Sequence, residues 1–141
     1  FGRFNLQIKY LGKGHTNSDT IIYIPEGKIL ITGDLVFNGK IPFAGHAYIS
    51  EWIKRLEDLE KFDADIVIPG HGDVGDKSII QKMQQYLLDL KNAVMEQVTN
   101  RKSLEETKEK VKKIMEKYKT WKNFDWLEGN IERAYQEFSE Q

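Results

Sequence analysis

Cysteine is absent from this 141-residue chain, which rules out disulfide bridges, thiol nucleophiles and Cys-rich structural zinc. No stretch comes near the roughly 18 apolar residues that a membrane-spanning helix needs, and no basic segment precedes an apolar one at the N-terminus. Charge of one sign is lacking too. With 21 basic against 22 acidic residues, a formal net charge of −1, no global field draws the chain to nucleic acid or to an anionic membrane. Internal repeats and low-complexity tracts are also missing. By default these absences point to a soluble, cytoplasmic protein without nucleic-acid or membrane partners. The length suits one domain that buries about two thirds of its unfolded surface. The opening Phe1-Gly2-Arg3-Phe4 lacks Met and leads at once into a strand-like stretch, Asn5 to Leu11, so it reads as a cut in a longer protein.

Up to about residue 75 the pattern is α/β. Thr20 to Pro25 is a β-branched run, Glu26-Gly27 makes a turn, and Lys28 to Thr32 forms the next strand, which together signal a hairpin. Ile49, Trp52, Ile53, Leu56 and Leu59 recur at helical spacing, which predicts a helix with one face on the sheet. Ala64 to Ile68 is a further β-rich run. From Asp76 onward strand signals vanish and three helices are expected. The first carries Ile79, Ile80, Met83, Leu87, Leu90, Val94 and Val98. The second opens at Ser103 with Glu106 as a capping box and carries Leu104, Val111, Ile114, Met115 and Tyr118. The third, after the aromatic connection Trp121, Phe124 and Trp126, presents Leu127, Ile131, Ala134, Tyr135 and Phe138. Lys108 to Lys119 alternates with Glu and reads as a solvated helix face. The division that follows is a partial α/β domain over 1–98 and a helical extension over 99–141.

Three short segments hold the candidate chemistry: Gly14-His15-Thr16-Asn17-Ser18-Asp19, Gly33-Asp34 and Pro69-Gly70-His71-Gly72, each expected where an apolar run gives way to a tight loop. Imidazole and carboxylate are the ligands that zinc, manganese or iron accept when no thiolate is available. Gly14 lets the backbone turn under His15. Thr16 or Asp19 could fix the tautomer of that ring, although Asp19 also reads as a turn-forming carboxylate. Asp34 is either a turn residue or a ligand, since a carboxylate among apolar neighbours must be hydrogen-bonded, paired or exposed. His71, between two glycines, can be pointed into a cleft. His46 lies in a long loop from Asn38 and reads as a surface or cleft-rim residue.

Two Gly-flanked histidines and a Gly-preceded Asp, in this order and separated by a hairpin and then a helix, resemble the second half of the metallo-β-lactamase-fold hydrolases over about residues 4–98. The resemblance implies an αββα sandwich with two metals, usually zinc, that share a bridging water. It places His15 as the third imidazole on the first metal, Asp34 as the bridging carboxylate and His71 as the last imidazole on the second, with manganese or iron as alternative metals. The family's His-x-His-x-Asp-His motif is absent from this sequence. The resemblance therefore implies a parent hydrolase acting on an ester, thioester, amide or phosphoester of a small molecule. An N-terminal half would complete the site, and this chain alone would be inactive and hold metal weakly. Two other readings stand beside it: a non-catalytic module that self-associates through its uncovered sheet face or helices, and a non-hydrolytic iron-dependent member of the fold.

Overall fold

The computed structural model describes residues 1–141. Four strands, β1 (Gln7–Tyr10), β2 (Thr20–Ile24), β3 (Ile29–Phe37) and β4 (Ile66–His71), form one sheet in chain order. The first three make an antiparallel meander. β4 runs parallel to β3, and the crossover between them carries helix α1 (Ile49–Glu60). The expected hairpin is present. A short 3₁₀ turn over Pro25–Gly27, closed by Lys28 in the left-handed region (φ 49°), returns β2 into β3. β1 is shorter than the Asn5 to Leu11 read from the sequence. It sits at the sheet edge, where every residue is solvent-exposed and no core contact extends the pairing.

Three helices follow: α2 (Ser78–Thr99), α3 (Leu104–Ile114) and α4 (Leu127–Ser139). The Ser103 and Glu106 capping box forms as expected. α3 stops at Ile114, which is exposed, and a 3₁₀ turn over Met115–Tyr118 then directs Met115 and Tyr118 inward. The alternating Lys and Glu residues are ion-paired within α3 and across to α4: Lys108 meets Glu105 on its own helix and Glu128 and Glu132 on α4, and Lys112 meets Glu128.

Strand alternation gives the sheet two faces. Ile21, Leu30, Thr32 and Val67 are buried on one of them, and the apolar side chains among these join a single cluster of 30 buried residues that continues through α1 and α2 to Phe138. The C-terminal helices therefore share a core with the sheet. The other face carries no helix. The register sets Ile8, Ile22, Ile31 and Ile68 in one row across all four strands, and Ile24, Ile29 and Ile66 in the next. Ile8 is 69% exposed and Ile66 40%. No helix of the structure is long and apolar enough to cross a membrane.

Candidate functional site

β3 does not end before Asp34, as the sequence pattern suggested; it runs on to Phe37. The buried side chains of Leu35, Val36 and Phe37 hold the continuation in the core. Gly33, at φ 55°, absorbs the irregularity as the ladder to β4 shifts register. Asp34 is thus a strand residue at a bulge, and His71 is the last residue of β4 rather than part of a loop beyond it. The two meet: Asp34 Oδ1 lies 3.2 Å from His71 Nε2, with side chains 45% and 47% exposed. Gly70 permits the approach, because a Cβ there would collide with Asp34 Oδ1 and the Gly33 backbone. The ring of His71 stacks on Phe37 at 4.5 Å, and its carbonyl accepts the amide of Asn38 at 2.8 Å.

His15 takes a different place. Its ring packs against Phe37 and, edge-on, against Trp52. Nε2 lies 2.6 Å from the carbonyl of Phe43, an acceptor only, so Nε2 carries the proton. Nδ1 is buried without a hydrogen-bond partner, 4.0 Å from Asp19 Oδ1. The Asp19 carboxylate is engaged locally: it accepts the Thr16 amide at 2.8 Å and the Thr16 hydroxyl at 3.2 Å, which closes the loop beneath the imidazole. His46 is exposed at the rim of a cleft of about 570 Å³ that Thr16 also lines.

The donor set tests whether a metal fits. Asp34 and His71 do fit: a carboxylate oxygen and an imidazole nitrogen stand side by side at a solvent-facing edge. His15 in this arrangement does not, because Nε2 is committed to Phe43 and Nδ1 is enclosed. No three His, Asp or Glu side chains gather into one metal-binding group. A catalytic zinc normally has three protein ligands; the structure brings two candidate donors, Asp34 and His71, together and holds the His15 imidazole apart.

The sequence reading missed what holds the loop of residues 38–48. Lys122 pairs with the backbone at Gly39 and Ile41. On α4, Asn130 donates to Pro42 O at 2.9 Å and accepts the Ala44 amide at 3.1 Å. Arg133 Nε donates to Ala47 O at 2.7 Å. Glu137 accepts the amides of Ile49 at 2.7 Å and Ser50 at 3.1 Å, the first free donors of α1. The loop is tied in turn to the His15 loop, through Phe43 O and through the Tyr48 amide on Gly14 O. The only sequence signal for this ladder is three polar residues spaced 130, 133 and 137 beside the apolar stripe of α4, a pattern that a solvated helix face also shows.

The first part of the chain is similar to known proteins. A family model described as the metallo-beta-lactamase superfamily matches residues 4–71. The type 2 metallo-beta-lactamase of Bacillus sp. (strain 170) is 35% identical over 85 residues, covering 57% of this chain and 33% of that protein. That of Elizabethkingia meningoseptica is 31% identical over 85 residues, with 57% and 34% covered. Among solved structures, VMB-1 aligns with a TM-score of 0.55 at 35% identity, over 59% of this chain and 40% of that one. A metallo-beta-lactamase from Pontibacter korlensis aligns with a TM-score of 0.57 at 29% identity, over 62% and 43%. The chain spans about a third of the length of the curated relatives it matches.

Proposed function

We propose that this chain, whose residues 4–71 match the metallo-beta-lactamase superfamily model, forms one wall of the active site of a metal-dependent hydrolase of that superfamily, with a small-molecule ester, thioester, amide or phosphoester as substrate. The observation that carries the reading is the Asp34 and His71 pair, an exposed carboxylate and imidazole 3.2 Å apart on strand positions that the sequence singles out together. These two residues would hold the metal. His15 would join them on release of its bond to Phe43 O. Zinc, the metal this superfamily implies, supplies Lewis acidity when bound, acidifying water and stabilising negative charge on an attacked carbonyl or phosphoryl group. The chain's own part is to orient: Phe37 braces the His71 ring from one side and the Asn38 amide holds its carbonyl.

On this reading the bare sheet face of Ile8, Ile22, Ile31 and Ile68 takes a second sheet in the parent protein, and in the chain by itself it drives self-association. The test measures zinc and turnover together. The chain alone should release zinc on dialysis against a chelator and show no hydrolysis of reporter esters above background. Residual zinc binding should be lost in Asp34→Asn and His71→Ala and kept in His15→Ala. Stoichiometric zinc that survives the chelator, or binding indifferent to Asp34 and His71, would sink the assignment. In a longer chain that supplies His-x-His-x-Asp-His upstream, activity should appear and depend on Asp34.

A further inference from the structure

The polar cleft beside His15 is not used by the Asp34 and His71 corner. Its lining includes Ser18, His46, Tyr48 and Arg133, all able to donate hydrogen bonds, beside Thr16, whose amide and hydroxyl already donate to Asp19. Arg133 is immobilised by its Nε bond to Ala47 O. One Nη reaches Gln136 Oε1 at 3.4 Å, and no carboxylate pairs with the guanidinium, so its remaining donors are free. Lys13 Nζ sits 4.9 Å from the centroid of the Tyr48 ring and the Arg133 guanidinium carbon 5.8 Å from it, which brings two cations to one aromatic ring. The carboxylates that could neutralise them are committed elsewhere. Glu137 caps α1, and Glu51 pairs with Lys54 and Arg55 and also faces Lys13, so Arg133 is the cation left without a carboxylate. A fixed planar fork of donors with unbalanced positive charge suits a carboxylate or a phosphate.

Across Gly45 lies a second cleft of about 390 Å³, walled by Phe43 and Trp126 in edge-to-face contact at 6.2 Å. Asp125 sits in its lining, so the anion belongs in the first cleft and an apolar group in the second. We propose that these two clefts are one bipartite subsite, in which Arg133 anchors a carboxylate or phosphate and the Phe43 and Trp126 rings receive the apolar remainder of the same small molecule. The connection to the metal corner runs through His15, which precedes Thr16 in the cleft wall and touches the Phe37 ring on which His71 stacks. Arg133 and Trp126 lie outside the span shared with the superfamily model, so this selectivity is a property of the chain's own C-terminal helices. The assignment rests on the hydrolase reading only for what the ligand is used for.

The cleft can be tested without turnover or metal. The ¹⁵N-labelled chain, in chelator and at constant ionic strength, is titrated with inorganic phosphate and separately with acetate. Saturable shifts are expected at the Thr16 and Gly45 amides and at Arg133 Nε–H. Arg133→Gln should weaken binding about tenfold, while Arg133→Lys retains part of the affinity. Saturation by phosphate alone assigns a phosphoryl group to the ligand; saturation by acetate as well assigns a carboxylate-sized site. Should Arg133→Gln fail to fold, the Lys13→Ala and His46→Ala double variant, confined to exposed side chains, should weaken binding severalfold. Linear, unsaturable drift spread over the surface, or affinity unchanged in these variants, overturns the proposal. An inactive longer chain would remove the hydrolase reading and leave the titration as it stands.

Discussion

Gly70 is the narrowest point of the Asp34 and His71 corner. Adding a methyl group there forces Asp34 or the Gly33 backbone to move, so Gly70→Ala should cost about 1–3 kcal/mol of stability, read from denaturant midpoints, and should separate the pair. A second residue-scale prediction concerns Asp89. Partial burial works to raise its carboxyl, but hydrogen bonds from Lys117, Tyr118 and Gln85 outweigh that and hold it below the ordinary Asp value. A carboxyl lowered in the folded state contributes its full stabilisation above the unfolded pKa, about 3.9, and loses it as pH falls through the lower folded value. Asp89→Asn should therefore be less stable than the parent near neutrality, and the gap should close in acid. A gap that widens in acid would contradict the sign. At this scale much was legible. His15, Asp34 and His71 stand out because glycine punctuation beside a ligand-type residue is a local pattern. The pairing of Asp34 with His71, and the detour of His15 to Phe43 O, depend on strand register and on a loop partner far along the chain, which no local pattern encodes.

Elements show the same contrast. α3 carries its own cap: Ser103 and Glu106 are three residues apart and satisfy each other's backbone donors. That cap was readable from four letters. α1 has none of its own, since Tyr48 at its N-cap position offers no side-chain bond. Its first amides go to Glu137, more than eighty residues away. The carboxylate also suits the positive end of the helix dipole. Glu137→Ala should cost about 1–2 kcal/mol and raise hydrogen exchange at Ile49 and Ser50, while exchange within α3 stays unchanged. β3 is the element that the sequence misjudged. Gly33-Asp34 reads as a break, yet the apolar run Leu35 to Phe37 carries the strand through it, because burial of three large side chains outweighs one irregular pair of residues.

For the whole molecule, the α/β order and the helical C-terminal part followed from hydrophobic period alone. Which side of the sheet would be left bare did not, because both faces of β2 and β3 carry large apolar residues, Ile21, Tyr23 and Leu30 on one and Ile22, Ile24, Ile29 and Ile31 on the other, and alternation cannot choose between them. The helices choose, covering Ile21 and Leu30 and leaving the two isoleucine rows. Sedimentation should show concentration-dependent association, and Ile8→Lys, at the most exposed position of the row through Ile22, Ile31 and Ile68, should shift it toward monomer. Association that ignores this charge would place the contact on the helices instead.

The ladder from α4 to residues 42–50 also governs when the structure forms. Every rung spans more than eighty residues, so the loop that restrains His15 can close only after the last helix has docked, and during synthesis it is among the last parts to order. Contacts of that kind belong to the descent from the folding barrier rather than to its summit. Asn130→Ala, which strips two backbone partners and the Tyr86 hydroxyl of theirs, should speed unfolding and leave the folding rate nearly untouched. The His15 side of the candidate site would then be the slowest part of the chain to assemble and the first to come apart.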